Sequence, residues 1–298
     1  MNNAWVDGFL PIAIPPEIPV NAAGMEDTSD LPIGVFDSGV GGLTVLKALR
    51  ERLPGEALIY LGDTARLPYG SKSARAVGAY ALAATRRLVA MGIKALVVAD
   101  NTSSAQALDI LRAEFDGLPV VGVVEPGATA AAQASEGGRI VVIASESTVE
   151  AGAYPRAIHN GRAGASVVSR ACPLFVAMVE EGITDGPIAE MIARHYLDPL
   201  FGGPGAGDCL LLGCTHFPAL LPLLRRVLGP RVAIVDSAAT TARVVEDLLA
   251  RHRLKRRRPG TEPMRYLATD APERFARVAR VFVPWPIGAA EVDLVDIG

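Results

Sequence analysis

The sequence contains few of the residues that mark secreted, metal-binding or membrane proteins. It has three cysteines in 298 residues, and Cys172, Cys209 and Cys214 do not follow the spacing of metal ligands. An odd set of this kind argues against a disulfide framework and favours a reducing compartment, so we expect a cytoplasmic protein. No apolar run reaches the roughly 18 residues that a membrane span requires.

Charge and targeting features are also scarce. The formal net charge is −3, which gives no electrostatic reason to expect binding to nucleic acid or to a membrane surface. Residues 1–30 contain no lysine or arginine, so we expect no signal or transit peptide there. Because this stretch is rich in proline and lacks periodicity, we predict an extended N-terminal arm over residues 1–30.

Motifs for nucleotide binding and for serine hydrolysis are missing. The glycine-rich turn "DSGVGG" lacks the Lys-Ser/Thr of a Walker A loop and the spacing of GxGxxG, and no GxSxG occurs anywhere in the chain. These absences argue against an NTPase, a dinucleotide-binding enzyme and an α/β-hydrolase.

From Ile33 onwards, apolar strand-like runs alternate with helical stretches. Half of the residues are hydrophobic and only 5% are aromatic. Strand–helix alternation of this kind predicts an α/β protein with parallel sheets and helices on both faces.

Polar side chains recur where the predicted strands end. The clusters are Asp37-Ser38, Asp63-Thr64, Asp100-Asn101-Thr102, Ser147-Thr148, Cys214-Thr215-His216 and Asp236-Ser237. Ligands of parallel α/β proteins bind beyond the carboxyl ends of the strands, so these clusters predict a site. "KALVVADNTSSA" and "DCLLLGCTHFPA" share a pattern of apolar strand, reactive side chain and threonine. Two similar halves would bring Asp100 and Cys214 face to face across a cleft.

Several longer blocks together resemble the glutamate racemases of the aspartate/glutamate racemase superfamily. They are "GVFDSGVGGLTVLKALRERLPGEALIYLGDTARLPYGSKS", "PVVGVVEPG", "GAYPRAI", "ACPLFVAMVEEG" and "LLLGCTHFPAL". The resemblance implies two similar doubly wound α/β domains with parallel sheets and an active site in the cleft between them. We therefore predict a first domain of residues 31–123 plus 237–298 and a second domain of residues 124–236.

The resemblance also implies a reaction. Enzymes of this family use no cofactor and no metal: one cysteine removes the Cα proton of glutamate and another returns a proton to the opposite face. The D-glutamate product is used in peptidoglycan synthesis. The expected partner is the small-molecule substrate, with neither nucleic acid nor membrane involved, and the expected assembly is a homodimer.

Roles for individual residues follow from the same resemblance. The catalytic set is Asp100, Cys214, Asp37, Glu180 and His216. The substrate-binding set is Asp37, Ser38, Pro68, Tyr69, Gly70, Ser71, Asn101, Thr102, Thr148 and Thr215. We also expect Glu125 near the cleft, and a helix beginning just beyond Cys214, whose N-terminus would favour the thiolate.

Asp100 is the departure from the family pattern. Where a glutamate racemase reads Cys-Asn-Thr-Ala, this chain reads Asp100-Asn101-Thr102-Ser103. An exposed aspartate, with a pKa of about 3.9, is a much weaker base than a cysteine. Dry surroundings and a neighbouring carboxylate raise such a pKa, and Asp100 would then serve as acid or base. We expect poor racemisation of glutamate or none, with Cα proton exchange from the Cys214 face.

Four interpretations of Asp100 stay open at this point. It is a substitution that disables one base of an ordinary racemase, or it is native to a racemase with a Cys/Asp pair. Alternatively, the protein has diverged to a one-cysteine decarboxylase or isomerase of the same superfamily, or it is a non-catalytic amino-acid-binding protein that kept the cleft.

Overall fold

The computed structural model describes residues 28–257 and 264–298, and the predicted arm over residues 1–30 falls almost wholly outside them. Within these ranges the strands are β1 (Ile33–Asp37), β2 (Leu58–Gly62), β3 (Ala95–Val98), β4 (Val120–Gly122), β5 (Arg139–Ala144), β6 (Ser166–Ala171), β7 (Cys209–Gly213), β8 (Ala233–Asp236), β9 (Arg265–Ala268) and β10 (Val292–Leu294). The helices are α1 (Leu43–Arg52), α2 (Ala74–Ala90), α3 (Asn101–Gln106), α4 (Leu108–Glu114), α5 (Val124–Ala134), α6 (Glu146–Ala151), α7 (Ala153–Gly161), α8 (Pro173–Glu180), α9 (Pro187–Phe201), α10 (Leu221–Leu228), α11 (Ala238–Arg251) and α12 (Pro272–Ala279).

The strands form two sheets in which every described pairing is parallel. One sheet has the order β10-β9-β2-β1-β3-β4 and the other β6-β5-β7-β8. We call the six-stranded sheet with its helices the first lobe, and the four-stranded sheet with its helices the second lobe. Strands β1, β2, β3 and β7 are buried along their whole length, as expected for parallel strands covered by helices on both faces.

The two sheets repeat one topology, which explains the repeated sequence pattern. The order β2-β1-β3-β4 in the first lobe corresponds strand for strand to β6-β5-β7-β8 in the second. In each, the strand order reverses between the first and third strands of the set, and such switch points are where ligands bind. Asp100 follows β3 and Cys214 follows β7, so the two residues occupy equivalent positions. The predicted α/β architecture with two parallel sheets is confirmed, whereas the domain limits at residues 123 and 236 stay predictions.

The chain after residue 263 adds elements that the strand pattern did not predict. Strands β9 and β10 extend the first sheet beyond β2, and α12 lies between them in the chain. Helix α5 begins at Val124 although it contains Pro126, because a proline is tolerated in the first helical turn. Within the described ranges, no helix is both long and apolar enough to cross a membrane.

The glycine-rich turn after β1 packs directly against the second lobe. A Cβ atom on Gly41 would lie 2.3 Å from Thr215 Oγ1 and 2.8 Å from His216 Nδ1, closer than Cβ contacts allow. Position 41 therefore accepts only glycine if the lobes are to stay at this separation. By contrast, a Cβ on Gly39 would meet only Leu67 Cδ2, at an ordinary 3.5 Å.

Gly41→Ala is expected to lower the melting temperature by about 3–8 °C, since overpacking of this size costs about 1–3 kcal/mol. Gly39→Ala is the matched control from the same turn and is expected to melt within about 2 °C of the unmodified protein. Differential scanning calorimetry on both variants makes the comparison. Equal melting temperatures for the two variants would show that the turn does not set the distance between the lobes.

Candidate functional site

Asp100 lies at the end of β3 and caps helix α3. Its Oδ2 accepts hydrogen bonds from the backbone N–H of Ser103 (2.6 Å) and from the Ser103 hydroxyl (2.7 Å). Its Oδ1 accepts from the Ser38 hydroxyl at 3.0 Å. A side-chain acceptor at this position satisfies an N–H group that the first helical turn leaves free. These hydrogen bonds hold the carboxylate in one orientation. The residue is only 6% exposed.

A second buried carboxyl, Asp37, ends the neighbouring strand β1. Its Oδ2 accepts from the Gly39 N–H at 3.0 Å and the Tyr60 hydroxyl at 3.1 Å. Its Oδ1 is buried and has no hydrogen-bond partner within the described part of the chain. Burial raises the pKa of Asp37, and burial together with the Asp37 charge raises the pKa of Asp100 to about 6, against the opposing effect of the Ser103 hydrogen bonds. This wall of the cleft consequently holds carboxyl groups that carry a proton more readily than exposed ones.

Cys214 follows β7 on the second lobe and has a histidine beside it. Its Sγ lies 4.0 Å from His216 Nδ1, and His216 Nε2 lies 3.1 Å from Glu180 Oε1. Although burial opposes it, the hydrogen bonds to Cys214 and Glu180 and their negative charges raise the pKa of His216 to about 10. The hydrogen bond from His216 holds the pKa of Glu180 low, and Arg274 contributes in the same direction. His216 is therefore an imidazolium at neutral pH, and its positive charge lies beside the Cys214 sulfur.

The expected helix follows Cys214, first as a 3₁₀ helix over Phe217–Leu220 and then as α10 from Leu221. His216 is the cationic neighbour of the Cys214 sulfur. The expectation for Glu125 was wrong. Glu125 is not at the cleft: it lies 3.4 Å from Arg112 and lines a separate groove of about 340 Å³.

The other two cysteines are core residues. Both are buried, and burial raises the pKa of Cys172 and of Cys209 to about 12. At neutral pH each remains a thiol, so Cys214 is the cysteine suited to proton transfer. In the described ranges, no group of three or more His, Cys, Asp or Glu side chains could hold a metal ion.

Hydrogen bonds between the lobes bring the predicted residues of both into one cleft. Asn101 Nδ2 donates to the Tyr154 hydroxyl at 2.6 Å, and Thr102 Oγ1 lies 3.0 Å from Thr148 Oγ1. Burial raises the pKa of Tyr154, and the charges of Cys214 and Asp100 both add to the rise. The Tyr154 hydroxyl is therefore close enough to both Asp100 and Cys214 to be affected by their charges.

The loop from Pro68 to Ser71 borders the same cleft, but the Tyr69 side chain does not face it. The Tyr69 hydroxyl donates to Asp63 Oδ2 at 2.5 Å, and the ring packs against Phe36. The Ser147 hydroxyl donates to the Tyr69 main-chain oxygen at 3.4 Å, and a Cβ on Gly70 would overlap Ser145. The exposed parts of this loop include Pro68 and Ser71, whose hydroxyl donates to the Pro68 main-chain oxygen at 3.5 Å.

Sequence reasoning missed four residues that complete the site. Tyr60 lies in the apolar run "ALIYLG", where the pattern indicates core packing and says nothing about where a hydroxyl points. Tyr154 lies in the block "GAYPRAI", which carried the resemblance, but no role was assigned to it. Ser103 was read as part of the altered motif and given no role of its own. Arg274, which donates to Glu180 Oε2 at 2.6 Å, lies outside the blocks that carried the resemblance.

The two walls of the cleft together offer groups for acid–base chemistry. The first lobe presents the Asp100 and Asp37 carboxyls, and the second presents Cys214 with His216. A general acid and a general base must each lie within hydrogen-bond reach of the proton that they transfer. Groups on opposite walls can take a proton from one face of a bound carbon atom and supply one to the other face.

Comparisons with known proteins agree with this geometry. A sequence profile described as Asp/Glu/Hydantoin racemase matches residues 33–245. The glutamate racemase of Geobacter metallireducens is 46% identical over 256 residues, which is 86% of this chain and 94% of that protein.

Solved structures show the same similarity. A glutamate racemase isoform from Bacillus anthracis superposes with a TM-score of 0.84 at 34% identity, covering 90% of this chain and 98% of its own. The glutamate racemase from Francisella tularensis, solved in complex with D-glutamate, superposes with a TM-score of 0.82 at 33% identity and with the same coverages of 90% and 98%.

Asp100→Asn is expected to remove a pH dependence from the free energy of unfolding. Because the folded pKa of Asp100 is about 6 and its ordinary value is 3.8, its proton stabilises the fold below about pH 4. That stabilisation is lost as the pH rises through about 6, by about 3 kcal/mol in total. In urea unfolding from pH 4 to pH 7.5, the loss should be about 3 kcal/mol larger in the unmodified protein than in the variant, whose remaining pH dependence comes from other groups such as Asp37. Asp109→Asn, which changes a fully exposed carboxylate, is the control, and a variant curve parallel to the unmodified one would contradict the assignment.

Proposed function

The chain belongs to the Asp/Glu/Hydantoin racemase family, and from this premise we propose that it interconverts L- and D-glutamate by proton transfer at Cα, with Cys214 and Asp100 as the two acid–base groups. The support comes from relatives named glutamate racemase and from the bound D-glutamate in the Francisella tularensis structure. The observation that carries the proposal is the shared cleft, with a buried carboxyl of raised pKa on one lobe and a thiol beside an imidazolium on the other.

On the second lobe, Cys214 acts as a thiolate that removes the Cα proton. The imidazolium of His216, which is held by Glu180, supplies the positive charge that stabilises this thiolate while the substrate is bound. Removing a proton from Cα places negative charge next to the substrate carboxylate, and nearby hydrogen-bond donors stabilise such a charge as it develops. Small side chains with hydroxyl donors suit this role, and the cleft offers those of Ser38, Thr102, Thr148 and Thr215.

On the first lobe, Asp100 replaces the expected second cysteine. With a pKa of about 6, roughly a tenth of the Asp100 carboxyls are protonated at pH 7, and this form delivers a proton to the opposite face. The reverse reaction starts from the Asp100 carboxylate and the Cys214 thiol. Cys214 and Asp100 therefore hold one proton between them in both directions. The two directions differ only in which of these groups carries that proton at the start.

Asp37 is suited to the substrate ammonium group. Its Oδ1 is buried and lacks a hydrogen-bond partner among the described residues, a costly condition that an ammonium donor would relieve. A substrate bound in this way would also lower the pKa of Asp37, because a positive charge favours the carboxylate form.

The biological setting follows from the same proposal. We propose that the enzyme works in the cytoplasm and that its D-glutamate product enters peptidoglycan synthesis. A homodimer stays a prediction, as do the individual roles of the substrate-binding residues.

In deuterated water, the enzyme is expected to invert both L- and D-glutamate and to incorporate one deuterium at Cα per inversion. Cys214→Ala and Asp100→Asn should each lower the inversion rate about 10²–10⁴-fold, which is the usual contribution of one acid–base group. Asp100→Asn should keep deuterium exchange from one enantiomer only, the one whose Cα proton faces Cys214. Chiral chromatography and proton NMR measure the two processes separately.

Two further variants sharpen this experiment. Cys209→Ala alters a buried cysteine at the start of β7, whereas Cys214 follows the other end of that strand. It should leave inversion within about twofold of the unmodified rate, because the catalytic groups keep their positions. Asp100→Cys should raise inversion, because a thiol pKa of about 8.5 suits this proton transfer better than a carboxyl. Absence of exchange from both enantiomers would instead favour the one-cysteine decarboxylase or isomerase.

A further inference from the structure

Glu180 joins the two lobes through its two carboxylate oxygens. Its Oε1 accepts from His216 Nε2 within the second lobe, at 3.1 Å. Its Oε2 accepts from Arg274 Nη2 at 2.6 Å, and Arg274 belongs to helix α12 of the first lobe. A continuous chain therefore runs from the first lobe through Glu180 to His216 and on to Cys214.

The helix that carries Arg274 is firmly anchored in the first lobe. Phe275 is fully buried, with its ring 5.9 Å from that of Tyr60 and 6.5 Å from that of Tyr266. Tyr60 in turn donates to Asp37. The position of Arg274 is thus tied to the acidic wall of the cleft, so the Arg274–Glu180 contact reports the separation of the two walls.

Arg274 and Glu180 also line a groove of about 180 Å³ at the edge of the cleft. Other residues around this groove are Val40 in the glycine-rich turn and Leu67 before the Pro68 loop. The Arg274 side chain is 43% exposed and that of Glu180 is 19% exposed. The pair therefore lies at the rim, where the lobes must separate if a ligand is to enter.

We propose that Arg274 is a positioning residue that couples closure of the cleft to the orientation of His216 beside Cys214. When the lobes are closed, Arg274 holds one Glu180 oxygen, and the other oxygen fixes the imidazole ring. When the lobes separate, this contact breaks, and Glu180 is free to turn away from His216. The inference rests on the proposed function, because it assigns the contact to the assembly of that same site.

The energetics favour a role in orientation over a role in stability. A partly exposed ion pair contributes little to folding because water screens it and two long side chains must be ordered. The loss of a support behind a catalytic group, in contrast, affects the rate through small displacements of the reacting atoms. Arg274 variants should accordingly keep their melting temperature and lose activity.

Arg274→Gln is expected to lower kcat/KM for glutamate about 10-fold, through a lower kcat as well as a higher KM, since a misplaced support disturbs both binding and chemistry. Arg274→Lys should recover most of the loss, because the contact to Glu180 is a single charged hydrogen bond that an ammonium can make. Arg277→Gln, on an exposed position of the same helix, is the control and should match the unmodified enzyme. In a double-mutant cycle, Arg274→Gln should add nothing to Glu180→Gln.

A second readout does not depend on turnover. In protein labelled with ¹⁵N-histidine, the Nε2 proton of His216 should exchange with water about 5-fold faster or more in Arg274→Gln, because Glu180 no longer holds it steadily. The Arg277→Gln spectrum should be unchanged. An unaltered His216 signal in Arg274→Gln overturns the positioning role even if the enzyme racemises glutamate. An enzyme without glutamate turnover that shows the His216 change overturns only the proposed substrate.

Discussion

The desolvation of two carboxyl groups at the junction of the lobes is the constraint on which the rest of the site depends. Asp37 and Asp100 end adjacent strands of one sheet, and their charges would repel in a dry environment. The fold accommodates them by giving each several donors: Gly39 and Tyr60 for one, Ser38 and Ser103 for the other. The remaining electrostatic cost appears as a raised pKa, which is the property that an acid–base group in place of cysteine requires.

The duplicated topology determines where that carboxyl acts. Two sheets with the same strand order place Asp100 and Cys214 at equivalent switch points, and the glycine-rich turn brings the sheets close enough to share one cleft. The close approach of Gly41 to Thr215 shows how little space separates the walls. A proton-transfer site on both faces of one carbon needs this arrangement, because no single strand end can present groups from opposite directions.

The two walls have opposite electrostatic characters. The first lobe contributes carboxyls with raised pKa values, whereas the second contributes an imidazolium whose charge is sustained by Cys214 and Glu180. Arg274 extends this chain of alternating charges back to the first lobe, so the two halves of the site are mechanically connected at the rim as well as through Tyr154 at the centre. The contact at the rim therefore links the charge of His216 to the proposed closure of the cleft.

The sequence by itself predicts the α/β fold and the position of the site, because a polar residue after an apolar run marks the end of a buried strand. Apolar runs that end at Asp37, Asp100 and Cys214 predicted parallel strands and indicated the sheet edge at which the site lies. They also revealed Asp100 as an acid at an unusual position. Local pattern could not predict the environment that makes the acid useful. The pKa of Asp100 depends on burial and on Asp37, which lies 63 positions earlier in the chain, and the charge of His216 depends on Glu180. Only tertiary packing brings such distant residues together, since electrostatic effects act through space and not along the sequence. The sequence did not predict a role for Arg274 for the same reason. It is a charged residue on a helix that lies against Glu180 only in the folded chain.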